Sequence, residues 1–398
     1  MPTTLTAALP AGMLRVHIGK SLLPPHELFT FAARRNPRRA FLFLSKVLGK
    51  HLPVAPEKMD ATHARLADML PPDMPQPVLF IGMAETATAL GQGIFEVWQA
   101  QHPGASALFL HSTRHQICDT EAFDFDEPHS HAPQQWLMLP PNQEFRTQLA
   151  KMRALVLVDD EMSTGRTLLN LTQLCLRLAP KLECVHVLCL TDFSSQAARE
   201  SWQQNCQLPA SRTALLHGEW EFVPHENEAP KAALETMAQA TSPAPLGDGG
   251  FGRCGITHRL SLNNECLARW TRRLSALPTG APVLVLGTGE FMFPAFKLAL
   301  ALQQRTAARV MNAATTRSPI ELWGSIERRF SFTDNYGEGI ANFLYNFHAG
   351  DWAHTIICHE TPVTSGLHAL ARHTHGALLH FGATGVNENL DFCQHRQI

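Results

Sequence analysis

Short apolar runs alternate along this chain with stretches of helical spacing, and that rhythm predicts its architecture. Pro77-Val78-Leu79-Phe80-Ile81-Gly82 is apolar at every central position and reads as a buried strand. Residues 86–99 place apolar side chains at helical spacing. Residues 107–111 predict a second strand, 153–158 a third, 167–178 the helix after it, and 185–190 a fourth strand. Continuous apolar strands alternating with helices imply an α/β fold, a mostly parallel sheet flanked by helices on both faces. Upstream, residues 28–47 show helix-like apolar spacing, interrupted by Arg34-Arg35-Asn36-Pro37-Arg38-Arg39.

The rhythm breaks at residues 229–250, where Thr241-Ser242-Pro243-Ala244-Pro245-Leu246-Gly247-Asp248-Gly249-Gly250 has linker composition. It then starts again. Pro282-Val283-Leu284-Val285-Leu286-Gly287-Thr288-Gly289-Glu290 echoes the stretch from Pro77 to Glu85. Thr315-Thr316-Arg317-Ser318-Pro319-Ile320 echoes Ser112-Thr113-Arg114-His115-Gln116-Ile117. Thr355-Ile356-Ile357-Cys358, followed by His359-Glu360-Thr361-Pro362-Val363-Thr364-Ser365-Gly366, echoes the stretch from Val156 to Gly165. An internal duplication is the economical reading; chance likeness between two α/β domains is the alternative. The expected organisation is a first α/β domain over 1–228, including an N-terminal segment 1–76, a linker over 229–250, and a second α/β domain over 251–398 that is a degenerate copy of the first.

Composition narrows the function classes. A chain of 398 residues, 45% hydrophobic and 17% charged, has material for two cores. A formal net charge of −2 argues against a surface dominated by nucleic-acid binding. The 9 cysteines form no C-x-x-C pair, so neither a disulfide framework nor a structural zinc site is expected, and a reducing cytoplasm fits. No apolar run is long enough to span a bilayer. The expectation is a cytoplasmic protein with small-molecule partners, no nucleic acid and no membrane, its assembly open, with a homodimer among the arrangements considered.

The segment Val156-Leu157-Val158-Asp159-Asp160-Glu161-Met162-Ser163-Thr164-Gly165-Arg166-Thr167 carries the chemistry. A buried strand delivers two adjacent carboxylates to the carboxyl edge of a sheet, where open α/β folds bind ligands. A loop of small and hydroxylated residues follows, then a helix start. Gly165 permits close backbone approach, and Ser163, Thr164 and Thr167 add hydroxyls. Free N–H groups and the helix dipole favour a phosphate monoester there. Like charges keep Asp159 and Asp160 off that phosphate. They suit the ribose hydroxyls of the same ligand, or a hydrated Mg²⁺ beside them. An acidic pocket of another kind, or an ordinary helix N-cap after a strand, is the rival reading.

This pattern resembles the phosphoribosyl pyrophosphate motif of type I phosphoribosyltransferases, and residues 77–192 resemble that family, nearer its orotate type than its purine-salvage type. In many purine enzymes an acid stands where this chain has Ser163. Nearly the whole chain is similar to a narrower family, phosphoribosyltransferase-like proteins of bacterial tellurite-resistance and stress operons with a C-terminal TRSP domain. Arg34–Phe43, Val47–His51, Glu85–Thr88, His129-Ser130-His131-Ala132 and Thr316-Arg317-Ser318-Pro319 carry that likeness. The resemblance implies a transferase that uses phosphoribosyl pyrophosphate and Mg²⁺ to ribosylate an unknown base, in biosynthesis of a nucleoside-like metabolite. A regulatory protein that binds phosphoribosyl pyrophosphate or a nucleotide without transfer is the alternative.

The resemblance also assigns parts. Residues 163–167 (Ser163, Thr164, Gly165, Arg166, Thr167) would hold the 5′-phosphate, and Asp159 and Asp160 the ribose, with Mg²⁺ bound directly or through water. The loop Ala84, Glu85, Thr86, Ala87 and Thr88, with Arg114, would hold pyrophosphate. The polar stretch 115–145 shows no clear periodicity and stands where the family has a catalytic lid. His129 and His131 there are the candidates for proton transfer, with solvent-exposed loop histidines as the rival reading. The segment 1–76 would form a hood over the base. In the second domain His359-Glu360 replaces the acid pair, so that copy is expected not to catalyse transfer. Glu290, Arg317, Ser318 and Gly366 are its ligand candidates.

Overall fold

The computed structural model describes residues 3–34, 39–117, 119–126, 134–225, 251–384, 389–391 and 395–396. In chain order the elements are β1 (Thr3–Leu9), β2 (Gly12–Ser21), α1 (Pro25–Leu28), β3 (Phe29–Ala33), β4 (Phe41–Ser45), α2 (Pro56–Ala67), β5 (Val78–Gly82), α3 (Thr88–Gln101), β6 (Ala107–His111), β7 (Glu121–Asp126), β8 (Gln134–Leu139), α4 (Gln143–Leu149), β9 (Ala154–Met162), α5 (Arg166–Leu178), β10 (Cys184–Asp192), α6 (Gln196–Asn205) and β11 (Ala210–Pro224). They continue with β12 (Ser261–Leu262), α7 (Asn264–Ser275), β13 (Pro282–Gly287), α8 (Phe293–Arg305), β14 (Arg309–Ala314), β15 (Arg329–Thr333), β16 (Ala341–Tyr345), β17 (His354–His359), α9 (Ser365–Thr374), β18 (Ala377–His380), β19 (Gly382–Thr384), β20 (Asn389–Asp391) and β21 (His395–Arg396).

The chain forms two compact units. The first contains residues 3–28, 62–225 and 251–259, and the second contains 29–34, 39–61 and the described residues from 260 onward. Sequence contiguity therefore does not define them. Residues 29–61, expected within the first domain's hood, cluster with the second unit, and residues 251–259 cluster with the first. The expected linker, 229–250, lies outside the described residues.

The first unit is built on a seven-stranded sheet ordered β1-β2-β11-β10-β9-β5-β6. Strands β6, β5, β9, β10 and β11 run parallel, and β2 and β1 close the far edge antiparallel. Strands β5 and β6 are buried at every residue, which explains their unbroken apolar sequence. Phe80 packs edge-on against Phe95 at 5.6 Å, and Phe95 stacks on Phe109 at 5.6 Å, locking α3 to the sheet. The outer edge of β6 is covered by a segment distant in sequence. Phe109 and Ile256 exchange backbone hydrogen bonds of 2.9 Å, and the His111 N–H donates to the Gly252 carbonyl at 3.0 Å.

The second unit repeats the central plan. Its main sheet is ordered β14-β13-β17-β18-β21, with the first four strands parallel. In both units the order of elements is strand, helix, strand, antiparallel hairpin, strand, helix, strand, with β7–β8 answered by β15–β16 and the first unit adding α4 after its hairpin. Register aligns the copies residue by residue. Gly82 pairs with Val158 and His111, and Gly287 pairs with Cys358 and Ala314. His359-Glu360 thus occupies the place of Asp159-Asp160, and Thr315-Thr316-Arg317 that of Ser112-Thr113-Arg114. The β14 edge is also capped: Asn312 and Val54 exchange backbone hydrogen bonds of 2.8 and 2.9 Å, as Phe109 and Ile256 do.

Two expectations are corrected. Residues 28–47 do not form a helix beyond the four-residue α1. They form the hairpin β3–β4, because the apolar residues alternate as well as recur. Phe29 and Phe43 meet edge-on at 5.0 Å, and Phe41 and Phe43 at 5.7 Å, cross-strand and along-strand contacts that a pleated surface favours. Residues 115–145 are not structureless either. They contain the paired strands β7 and β8 and the helix α4, whose cap is the Asn142 side chain accepting from the Glu144 N–H at 2.8 Å.

Candidate functional site

Strand β9 runs further than its apolar core. It stays paired with β10 through Asp159 and Glu161 to Met162, so its last residues carry carboxylates past the centre of the sheet. Asp159, Asp160 and Glu161 are half-buried there. The Asp159 Oδ1 accepts from the Asp160 N–H at 2.9 Å, and the Asp160 Oδ1 accepts from the Thr86 hydroxyl at 3.0 Å. The Thr191 hydroxyl, on the neighbouring strand, lies 3.4 Å from the Asp160 carbonyl. Burial raises the Asp160 carboxyl above its ordinary range. Hydrogen bonding from Thr86 and with Asp159 opposes that rise without cancelling it.

The loop after β9 is open where an anion needs it open. Ser163 is half-buried and Thr164 exposed, and α5 begins at Arg166, with Arg166 exposed and Thr167 half-buried. Gly165 caps the helix at φ 71°, a left-handed conformation that only glycine adopts freely. A Cβ there would stand 2.7 Å from Met162 Cε and 2.8 Å from Trp202 Cδ1. The first-turn amides of α5 have no carbonyl one turn back. The Arg166 N–H donates to the Thr164 hydroxyl at a long 3.5 Å. Leu168, Leu171 and Leu174 anchor the opposite face of the helix in the core.

The loop after β5 is rigid for a reason hidden from sequence. The Ala84 N–H donates to Ser112 Oγ at 2.8 Å, that hydroxyl donates to Gln135 Oε1 at 2.6 Å, and Gln135 Nε2 donates to the Ala84 carbonyl at 3.0 Å. Ser112 and Gln135 are each 0% exposed, so both backbone groups of Ala84 are held by a dry circuit. The Ala84–Glu85 peptide is cis. Glu85 and Thr86 are half-buried; Ala87 and Thr88 are buried, and Thr88 opens α3. Gly82 makes the turn possible, since a Cβ would meet the Ala87 carbonyl at 2.7 Å. Arg114 follows β6, half-buried, two residues beyond Ser112.

Thr86 thus joins the loop at 84–88 to the acid pair. His129 and His131 lie outside the described residues. Glu290, Arg317, Ser318 and Gly366 belong to the second unit. Three residues near the first site were missed by sequence reasoning. Ser112 stood inside a quoted segment but gave no sign of its role. Gln135 had no signal at all. Arg253, 0% exposed, donates from Nε to the Thr113 hydroxyl at 3.3 Å, and only the strand cap at 251–256 brings it there.

Fold and site together define a class: an α/β protein of two sheet-based units, with adjacent carboxylates and a glycine-capped helix start at the carboxyl edge of its first parallel sheet. Residues 28–219 match the family model described as phosphoribosyl transferase, and residues 250–372 match the model of the TRSP domain found C-terminal to it. The chain belongs to this phosphoribosyltransferase family with a TRSP domain. No curated protein matches it. Among solved structures it is similar to an adenine phosphoribosyltransferase of Giardia lamblia, at 21% identity and TM-score 0.34, covering 49% of this chain and 99% of that one. It is also similar to the adenine enzyme of Trypanosoma brucei, at 12% identity and TM-score 0.34, covering 48% and 77%. A third, from Rhodothermus marinus, has 14% identity and TM-score 0.31, covering 48% and 95%.

Proposed function

We propose that the first unit transfers a phosphoribosyl group from phosphoribosyl pyrophosphate to a nitrogen of a heterocyclic base. The observation that carries this is the pairing of two strand-tip carboxylates with an open, glycine-capped helix start in the next turn. Asp159 and Asp160 accept from the ribose hydroxyls. Ser163, Thr164, Gly165, Arg166 and Thr167 hold the 5′-phosphate through hydroxyls and first-turn amides. Ala84–Thr88 and Arg114 receive the pyrophosphate; a guanidinium suits its oxygens. The C1–oxygen bond to pyrophosphate breaks as the base nitrogen bonds to C1 from the opposite face, and the base gives up a proton. Rate comes from positioning and from charge placed before the reaction.

The donor set fits Mg²⁺. Among the described residues no cluster of three or more histidines, cysteines or acids forms a closed metal cage. Mg²⁺ characteristically takes one or two carboxylates, keeps water, and completes its shell with substrate phosphate oxygens. Asp159 and Asp160 would hold it, directly or through water, and it would neutralise charge on the departing pyrophosphate. Ser163 at the position of the purine enzymes' acid supports an acceptor nearer the orotate type. The sequence resemblance carried by Arg34–Phe43, Val47–His51 and Glu85–Thr88 supports a nucleoside-like product in tellurite and stress response.

Incubation with phosphoribosyl pyrophosphate, Mg²⁺ and a cell metabolite extract, followed by mass spectrometry, tests the proposal. A new ribotide with matching pyrophosphate release is expected. Tight binding of phosphoribosyl pyrophosphate with no release under any base would replace the transferase with a regulatory binding protein.

A further inference from the structure

The second unit keeps the scaffold of the first site while changing its contents. The Gly289 N–H donates to Thr315 Oγ1 at 2.9 Å, as the Ala84 N–H does to Ser112. The Ser318 N–H donates to Thr316 Oγ1 at 3.1 Å, as the His115 N–H does to Thr113. Gly287 turns the chain as Gly82 does, with a Cβ barred by the Phe291 carbonyl at 2.5 Å. Lys50, 1% exposed, donates to the Gly289 carbonyl at 2.6 Å. At the strand tip, burial holds the His359 imidazole down to about 4, so it is neutral at pH 7 where the first unit has a carboxylate.

What fills this scaffold is the unit's own hairpin loop. Residues 334–340 join β15 to β16 and are gathered on the Asp334 carboxylate. Its Oδ2 accepts from the Tyr336 and Glu338 N–H groups at 2.7 and 3.0 Å, and its Oδ1 from the Ile340 N–H at 2.8 Å. From this folded loop three side chains reach the three parts of the scaffold. The Tyr336 hydroxyl stands 2.9 Å from Glu360 Oε1 and 3.2 Å from the Thr288 carbonyl. Asn335 Nδ2 donates to Thr361 Oγ1 at 3.0 Å. The Glu338 carboxylate accepts from Arg317 at 2.6 Å, with both side chains mostly buried. Gly366, at the start of α9, lets this hairpin close in, since a Cβ there would stand 1.9 Å from the Thr333 carbonyl.

We infer that the second unit is a phosphate-class anion site occupied by its own loop. Tyr336 gives Glu360 the hydroxyl that a sugar would offer the first unit's acids, and Glu338 gives Arg317 the anion that a phosphate would supply. A pyrophosphate-like ligand binds there by displacing Glu338 from Arg317, and the cost of that exchange keeps the unliganded loop shut. Binding and loop opening are therefore one event. The likeness of this scaffold to the first site suggested the ligand class; the competition between carboxylate and ligand rests on the second unit's contacts alone.

The test is a titration of the full chain with inorganic pyrophosphate, read by hydrogen exchange at the amides of 336–340. The concentration giving half-maximal loss of protection is the readout. Exchange at 82–88, the segment assigned to pyrophosphate in the first unit, is read in the same samples, so failure at one site does not stand for failure at the other. Glu338→Gln, which leaves Asp334 and the loop's backbone bonds in place, should lower the half-maximal concentration at least about tenfold, the scale of a hydrogen bond to a charged group. Tyr336→Phe should lower it too, and Arg317→Met should remove the response. If Glu338→Gln disturbs folding, Tyr336→Phe with Arg317→Met decides. Unchanged sensitivity in the loosened variants, or a response that survives Arg317→Met, overturns the inference.

Discussion

Gly165 is where local backbone geometry and site chemistry depend on one atom, so Gly165→Ala tests both. The wild-type residue sits at φ 71°. A side chain in the left-handed region costs roughly 1–2 kcal/mol. The added methyl would lie 2.7 Å from Met162 Cε and 2.8 Å from Trp202 Cδ1. The methionine tip can move, but the indole is held in a buried position on α6, so relieving the overlap costs about 1–3 kcal/mol more. Reduced entropy of the unfolded chain returns about 0.4–1 kcal/mol. The net is roughly 2–3 kcal/mol of destabilisation, or about 5–10 °C in the melting of a unit of this size. Shifting Gly165 also shifts the first-turn amides of α5, so affinity for ribose 5-phosphate should fall with stability. Calorimetric melting with and without ribose 5-phosphate measures both. A variant that melts within about 2 °C of wild type and keeps its affinity would refute the reasoning.

Further predictions concern the groups around the site. Asp160→Asn should abolish pyrophosphate release while leaving melting at pH 7 unchanged or raised. Because burial raises its folded carboxyl, Asp160 binds its proton more tightly folded than unfolded, so its contribution to stability is lost as pH rises from the unfolded carboxylate value through the raised one; a large drop in melting temperature would contradict this. Gln135→Leu should leave the Ala84 carbonyl and Ser112 hydroxyl without their buried partner, costing about 1–3 kcal/mol in denaturant melts and weakening pyrophosphate affinity. Asp192 is a third case. Burial alone would raise its carboxyl, but hydrogen bonds from His217 and Ser194 and the charge of Arg212 outweigh it and hold it below the usual range. Its stabilisation is present above the unfolded carboxylate value and is lost as pH falls through the depressed one. Asp192→Ala should cost on the order of 3 kcal/mol at pH 7 and flatten the acid limb of the stability profile, as followed by circular dichroism.

The central strands were legible because their physics is local. Strands β5 and β6 are buried on both faces and so carry unbroken apolar runs, and the Asp159–Thr167 stretch announces a strand, a turn and a helix in one line. The recurring order of strand tips and their loops was legible for the same reason. The hairpin β3–β4 was misread because Leu28, Phe31 and Ala32 stand at helical spacing while Phe29 and Phe31, and Phe41 and Phe43, alternate. Strand β7 was missed because Glu121, Asp124 and Asp126 make its sequence as polar as a loop. Least legible were long-range assignments. Nothing near Phe109 in sequence indicates that Ile256 pairs with it, nothing near Asn312 indicates Val54, and Gln135 reaches Ala84 only after the sheet has formed.

The most direct measurement is the footprint of phosphoribosyl pyrophosphate with Mg²⁺ on the full chain by hydrogen exchange. Protection is predicted in two segments of the first unit, residues 82–88 and 159–168, and it should vanish in Asp159→Asn/Asp160→Asn. Saturating ligand that protects neither segment, or protects both equally in that double variant, would contradict the assignment of the site.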